Sequence, residues 1–218
     1  MSFGAAWSGR QDLEHAREPG WHDGGQRDHG STGATGHVGG RWRVNAVDRP
    51  ATIATERLVL SPLRVEDAVE MVEVLGDERL YEFIGGRPAG LDELHARYAR
   101  LLAGSGNPAE VWLNWVVRCR SDGQAIGTVQ ATVTAAGRRR SALVAWVIGV
   151  AWQGQGFASE AARALVDWLD GQGVDEIAAH VLPRHHASAA VATRAGLHRT
   201  NDQVEGEDVW RTTERREG

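Results

Sequence analysis

Apolar positions follow two different periods along this chain, and the switch between them marks its centre. The run Val144-Ala-Trp-Val-Ile148 is uninterrupted and rich in β-branched residues, which predicts a strand buried on both faces. Gly154 and Gly156 then break the pattern. Beyond them Ala161, Leu165, Trp168 and Leu169 recur at i, i+4, i+7 and i+8, the stripe of an amphipathic helix. Strand, glycine turn and helix together point a helix N-terminus at whatever occupies the turn. Unbonded N–H groups and about half a positive charge sit at such an end, so it suits a phosphate. Glycine lets the backbone approach that anion with no Cβ in the way.

The same reading extends in both directions. Thr55 to Leu63 alternates and predicts the first strand. Arg64 to Asp67 opens a helix with an expected stripe of Ala68, Val69, Val72 and Leu75, and Asp67 lies near its N-terminus, where the dipole favours it. Leu80 to Ile84 is a helical turn ended by Gly85-Gly86, and Leu91 to Leu102 a helix with Leu94, Tyr98, Leu101 and Leu102 on one side. Strands follow at Val111 to Cys119, Ala125 to Val133 and Ala142 to Val150, with turns at Asp122-Gly123 and Ala136-Gly137. After the central helix come a strand from Asp175 to Leu182, stopped by Pro183, and a helix from Ala187 to Ala195, closed by Gly196. Leu197 to Thr200 and Asp208 to Thr212 predict a closing hairpin. The fold class is α/β (α+β): a mixed, mostly antiparallel sheet flanked by helices. Residues 1–50 carry no such period; rich in Gly, His and Arg, they predict a disordered extension with a short helix near Gln11 to Arg17. The Arg- and Glu-rich tail is expected to fray.

Composition narrows the function. At 218 residues the chain has room for one domain with a real core plus an extension. A net charge of −5, with arginine as the only basic residue besides histidine, argues against sequence-independent nucleic-acid binding. The single cysteine, Cys119, excludes an internal disulfide and lies in an apolar strand, as an inert core thiol would. No apolar run is long enough to span a membrane and no secretory signal is visible, so a cytoplasmic protein without membrane contact is expected. The Arg138-Arg139-Arg140 run is best read as a solvated turn.

Which phosphate ligand the central turn takes is settled by elimination and then by resemblance. A P-loop needs a lysine, and this chain has none. A dinucleotide fingerprint needs a third glycine where Ser159 stands. Gly33 to Gly40 looks like the nucleotide loop of NAD(P)-dependent reductases, but the preceding Gly24 to Thr32 cannot be a buried strand and no helical period follows. The remaining pattern, Gln153-x-x-Gly156-x-Ala158, resembles the pyrophosphate loop of the GNAT superfamily of acyl-CoA-dependent N-acetyltransferases. Three other segments are similar to its RimJ/RimL-type branch, whose best-known members acetylate protein N-termini: Thr55-Glu-Arg-Leu-Val-Leu60, Asp122-Gly…Ala125-Ile-Gly-Thr-Val129, and His180 through Leu197.

The resemblance implies an acetyltransferase domain over 53–213 with acetyl-CoA as co-substrate, no metal, and an amine acceptor that is a protein N-terminus or a small molecule; a homodimer stays open. It implies cofactor contacts at Ile148, Val150, Gln153, Gly154, Gln155, Gly156, Phe157, Ala158 and Ser159, with Ser159 equally suited to capping the helix. His185 replaces the family's usual Asn and is expected on the pantetheine arm or as a base. Ser188 is expected to protonate or hold the leaving thiolate. The tyrosine and glutamate that many members use are replaced by Ala192 and Leu143. Other candidate bases are His186, with His180 further off, then Asp77, Tyr81 and Glu82, or a water relay. A backbone N–H near Trp146 to Ile148 is the expected oxyanion donor. Trp115 and Trp146 are candidate walls of the acceptor cleft, with a core role favoured for Trp115. The alternative function is a catalytically silent acyl-CoA-binding regulatory module.

Overall fold

A computed structural model describes residues 49–213 of the chain. The expectations for residues 1–48 and for the tail beyond 213 lie outside the described residues. In chain order the elements are β1 (Ile53–Ala54), β2 (Leu58–Pro62), α1 (Ala68–Val74), α2 (Tyr81–Ile84), α3 (Leu91–Ala103), β3 (Glu110–Cys119), β4 (Ala125–Ala136) and β5 (Arg139–Ile148). Then follow α4 (Phe157–Gly171), β6 (Glu176–Val181), α5 (His186–Arg194), β7 (His198–Val204) and β8 (Glu207–Arg211). The strands form one sheet of eight in the order β1-β2-β3-β4-β5-β6-β8-β7. Neighbours are antiparallel throughout, except that β6 runs parallel to β5. Among the described residues no helix is long and apolar enough to cross a membrane.

Alternation along the strands divides the core between the two faces of the sheet. On β3, Leu113, Trp115 and Val117 face α4, in one cluster with Ala161, Leu165 and Leu169. Val116, between them, turns to the other side and packs with Met71 of α1 and with Leu94 and Tyr98 of α3. Trp115 is fully buried. Its ring meets Trp168 edge-on at 5.4 Å, and its indole N–H donates to the Ala51 carbonyl at 2.8 Å. It is a core residue and walls no cleft.

Several elements differ from the pattern-based expectation. The first strand starts at Leu58 because Thr55 closes a turn, accepting from the Leu58 N–H at 3.0 Å, and a short separate strand precedes it. On α1 the buried stripe is Ala68, Met71, Val74 and Leu75, while Val69 is 58% exposed. Both stripes are apolar in the sequence, and contact with α3 and the sheet selects the second. β5 stops at Ile148, and a 3₁₀ turn over Val150–Trp152 leads to the glycines. The closing hairpin is longer than expected. Val204 pairs with Glu207 across a two-residue turn, in which Glu205 (φ 52°) and Gly206 (φ 84°) both take the left-handed conformation such turns demand.

Candidate functional site

β5 and β6 share only three paired positions, Ser141↔Glu176, Ala142↔Ile177 and Leu143↔Ala178. β5 nevertheless stays with β4 as far as Gly127↔Ile148, so the two parallel strands diverge and leave a cleft. Gly127 is what keeps β5 on the β4 side: a Cβ there would stand 2.2 Å from the Val147 carbonyl oxygen. Val144, Ala145 and Trp146 line one wall of the cleft, and Ala179, His180 and Val181 the other. Phe83 and Ile84 of α2 close one side. Ser188 of α5, His185 at its N-cap and Glu207 at the start of β8 complete it. Among the described residues, no strand pairs with Val144 to Ile148 on this edge, which leaves alternate N–H groups there without a strand opposite them.

The two residues expected to act in catalysis, Ser188 and His185, therefore meet in one cleft, which Trp146 also lines. His180 shares it too, closer than its place in the sequence implied. The His185 ring lies flat on Phe83, with centroids 4.0 Å apart and planes 4° from parallel. Burial lowers its pKa below the ordinary histidine value; Glu82 opposes that shift, and Arg184 and His186 add to it. His185 is thus neutral at pH 7 and can accept a hydrogen bond. His186 is exposed at the first position of α5. Asp77 is tied up in capping the turn after α1, where it accepts from the Arg79 N–H at 2.9 Å and pairs with the Arg79 guanidinium. The Tyr81 hydroxyl donates to the Leu75 carbonyl at 3.0 Å. Neither lines the cleft, and Glu82 is exposed.

One cleft residue was not anticipated. Glu207 is only 2% exposed and is one of the residues that line the cleft. An acidic residue just after a hairpin turn reads as solvated in the sequence. The Glu205-Gly206 turn places it inside the sheet instead, and no feature of a single sequence distinguishes the two.

At the end of β5 the glycine loop is set for an anion. Gly154 (φ 75°) and Gly156 (φ 81°) are both left-handed, and Gly156 is the N-cap of the 15-residue α4. Among the described residues no side chain caps that end, Ser159 included, so none of them occupies the first N–H groups of the helix. The Gln153 side-chain amide donates to the Ile148 carbonyl at 2.9 Å and fixes the end of β5. Val150 packs against the cluster that α1 and α3 form on the other face of the sheet. Arg57 fastens the loop from the turn before β2. Its Nη1 donates to the Gln155 carbonyl at 3.0 Å, its Nε to Glu160 at 2.7 Å, and its guanidinium lies 4.6 Å from the Phe157 ring centroid. Glu160 also accepts from the Thr55 hydroxyl at 2.6 Å and the Arg57 N–H at 2.9 Å. Burial alone would raise the Glu160 pKa, but these donors outweigh it and hold the carboxyl below its ordinary value.

These features fit an acyl-CoA: left-handed glycines and free helical N–H groups for the diphosphate, and a strand gap next to them for the pantetheine arm. Residues 57–198 match the Acetyltransferase (GNAT) domain family, well over half of the chain. The fold is similar to an acetyltransferase from Agrobacterium tumefaciens str. C58, with TM-score 0.56 and 26% identity over 75% of this chain and 95% of that one. It is similar to the ribosomal-protein-S5-alanine acetyltransferase from Vibrio fischeri, with TM-score 0.63 and 18% identity over 75% and 97% of the two chains. It is also similar to RimJ from Mycobacterium smegmatis in complex with CoA-disulfide, with TM-score 0.60 and 18% identity over 74% and 87%. No curated protein matches the sequence. A splayed parallel strand pair, a glycine loop at its open end and a family match spanning both place this chain in the GNAT family of acetyltransferases.

Proposed function

We propose that this domain, which we assign to residues 53–213, is a RimJ/RimL-type enzyme of the cytoplasm. It transfers acetyl from acetyl-CoA to a primary α-amine, that of a protein N-terminus or of a small molecule. The observation that carries this reading is Glu207, a buried carboxylate in the cleft where β5 and β6 part. It stands in for the carboxylate and tyrosine whose usual places are taken by Leu143 and Ala192, and it argues against a silent binding module.

Acetyl-CoA supplies an acetyl carbon activated as a thioester. Glu207 receives the proton that the attacking amine must lose, directly or through His180 on the same wall. An α-amine has a pKa of about 7.7–8.0 and asks little of that base, whereas a lysine side chain at about 10.4 asks for several units more. N–H groups on the open edge of β5 between Val144 and Ile148 meet the charge that grows on the acyl oxygen. Ser188 donates to the departing sulfur, and neutral His185 with Phe83 and Trp146 shapes the acceptor side.

Thiol release from acetyl-CoA, followed over peptides with free and with blocked N-termini, tests the proposal. Glu207→Gln is expected to lower kcat by about 10²- to 10⁴-fold, the usual contribution of a general base, with the Kd for CoA unchanged. A variant as fast as the parent protein removes Glu207 from the mechanism. Faster reaction with a lysine on an N-blocked peptide rejects the α-amine assignment.

A further inference from the structure

The glycine loop is short of positive charge. The chain has no lysine, Gln153 and Gln155 are neutral, and Glu160 puts a carboxylate in the first turn of α4. A helix N-terminus offers about half a charge, and both phosphates of a diphosphate are ionised at neutral pH. Arg57 stands where that charge is missing. Its backbone N–H and Nε grip the two oxygens of Glu160 at 2.9 and 2.7 Å, and Nη1 holds the Gln155 carbonyl at 3.0 Å. Nη2 is left over. It makes no hydrogen bond to any described residue and lies 3.5 Å from the point a Cβ on Gly156 would occupy. The side chain is 45% exposed, so this amine is open to a ligand on the loop.

We infer that Arg57, carried onto the glycine loop by the β1–β2 turn, is a ligand of the CoA diphosphate and donates to it through Nη2. The inference rests on the acyl-CoA reading above and assigns the loop's charge to a residue from a distant part of the chain. A guanidinium can do both jobs at once. Its inner edge cancels the Glu160 carboxylate, which would otherwise repel the cofactor, and its outer amine meets a phosphate oxygen with the directional bond that suits arginine to this task. Gly156 is part of the same device: its left-handed φ of 81° suits glycine, and a Cβ there would touch Nη2 at 3.5 Å.

Calorimetric titration of the full chain with CoA and with pantetheine, which has no phosphate, tests the assignment. Arg57→Ala is expected to weaken CoA at least tenfold, about 1.4 kcal/mol, with pantetheine affinity within about twofold of the parent protein. Arg57→Lys, which keeps the charge without the fork, is expected to fall between the two. Glu160→Gln, which keeps Arg57, is expected to bind CoA at least as well as the parent. Unchanged CoA affinity in Arg57→Ala overturns the proposal. So does an equal loss of CoA and pantetheine, the mark of a collapsed loop, or a loss in Glu160→Gln as large as in Arg57→Ala. If Arg57→Ala does not fold, Arg57→Lys decides: weaker CoA with unchanged pantetheine supports the assignment, and no change in either overturns it. A parent protein that gives no heat with CoA fails at a different point, in the acyl-CoA reading itself.

Discussion

Single residues divide the chemistry unevenly between what the sequence discloses and what it conceals. Ser188 and His185 were legible because they sit in a motif whose neighbours fix their place, and both reach the cleft. Glu207 was not, because its role depends on a hairpin register and not on any local pattern. Arg57 belongs to a recognisable strand motif, yet nothing in the sequence ties it to a loop about a hundred positions away. For Ser188, the substitution Ser188→Ala should lower kcat roughly tenfold, about 1.4 kcal/mol of transition-state stabilisation, and leave the Kd for CoA within about twofold. Stopped-flow thiol release checks this, and an undiminished rate means the sulfur leaves without help from the hydroxyl.

Elements were legible wherever one period dominated. β3 starts one residue before its expected first position, β4 runs three residues past Val133, α4 carries the expected apolar stripe, and the glycine loop joins β5 to α4 as foreseen. Misses arose where two physical solutions competed. On α1, stripes through Val69 and through Met71 are both apolar, and only tertiary contact chooses. At the last hairpin a Glu-Gly pair forms a turn more often made by Asn-Gly or Asp-Gly, so the pattern ends β7 at Thr200, whereas the strand runs on to Val204. The divergence of β5 from β6 has no sequence signature beyond Gly127, whose absent side chain lets the two antiparallel strands approach. Gly127→Ala would put a methyl group 2.2 Å from the Val147 oxygen and 2.7 Å from the Ile148 side chain. It should cost about 1–3 kcal/mol in urea unfolding. It should also weaken CoA binding, because β5 must shift toward the cleft. A fully stable variant would show that β4 and β5 have slack at this point.

For the whole molecule, three carboxylates staple separate parts of the sheet and its helices. Glu160 joins the β1–β2 turn to α4, Glu70 joins α1 to Arg118 on β3, and Asp208 joins β8 to Arg199 and Gln203 on β7. Each has its pKa held below the ordinary value: Glu70 by its hydrogen bond from Arg118, Asp208 by Arg199 and then Gln203, and Glu160 by donors that outweigh its burial. A lowered folded-state pKa adds stability that is complete above the unfolded value and disappears as pH falls through the folded one. The melting temperature should therefore hold steady at neutral pH and drop as pH falls below about 4, the carboxylate range, and Glu160→Gln should make that drop shallower. A variant whose acid transition matches the parent's would show that the Glu160 staple contributes nothing in acid.

The narrow join between β5 and β6 has one more consequence. Among the described residues, three pairs of positions are the sole strand-to-strand link between a part of the sheet that carries the glycine loop and a part that carries Glu207. On the mechanism we propose, the thioester donor is held on one half and Glu207 on the other, and their alignment depends on the pairing of Ser141, Ala142 and Leu143 with Glu176, Ile177 and Ala178. Evolution can tune the reaction there as a machinist adjusts a vice, by turning a screw away from the jaws.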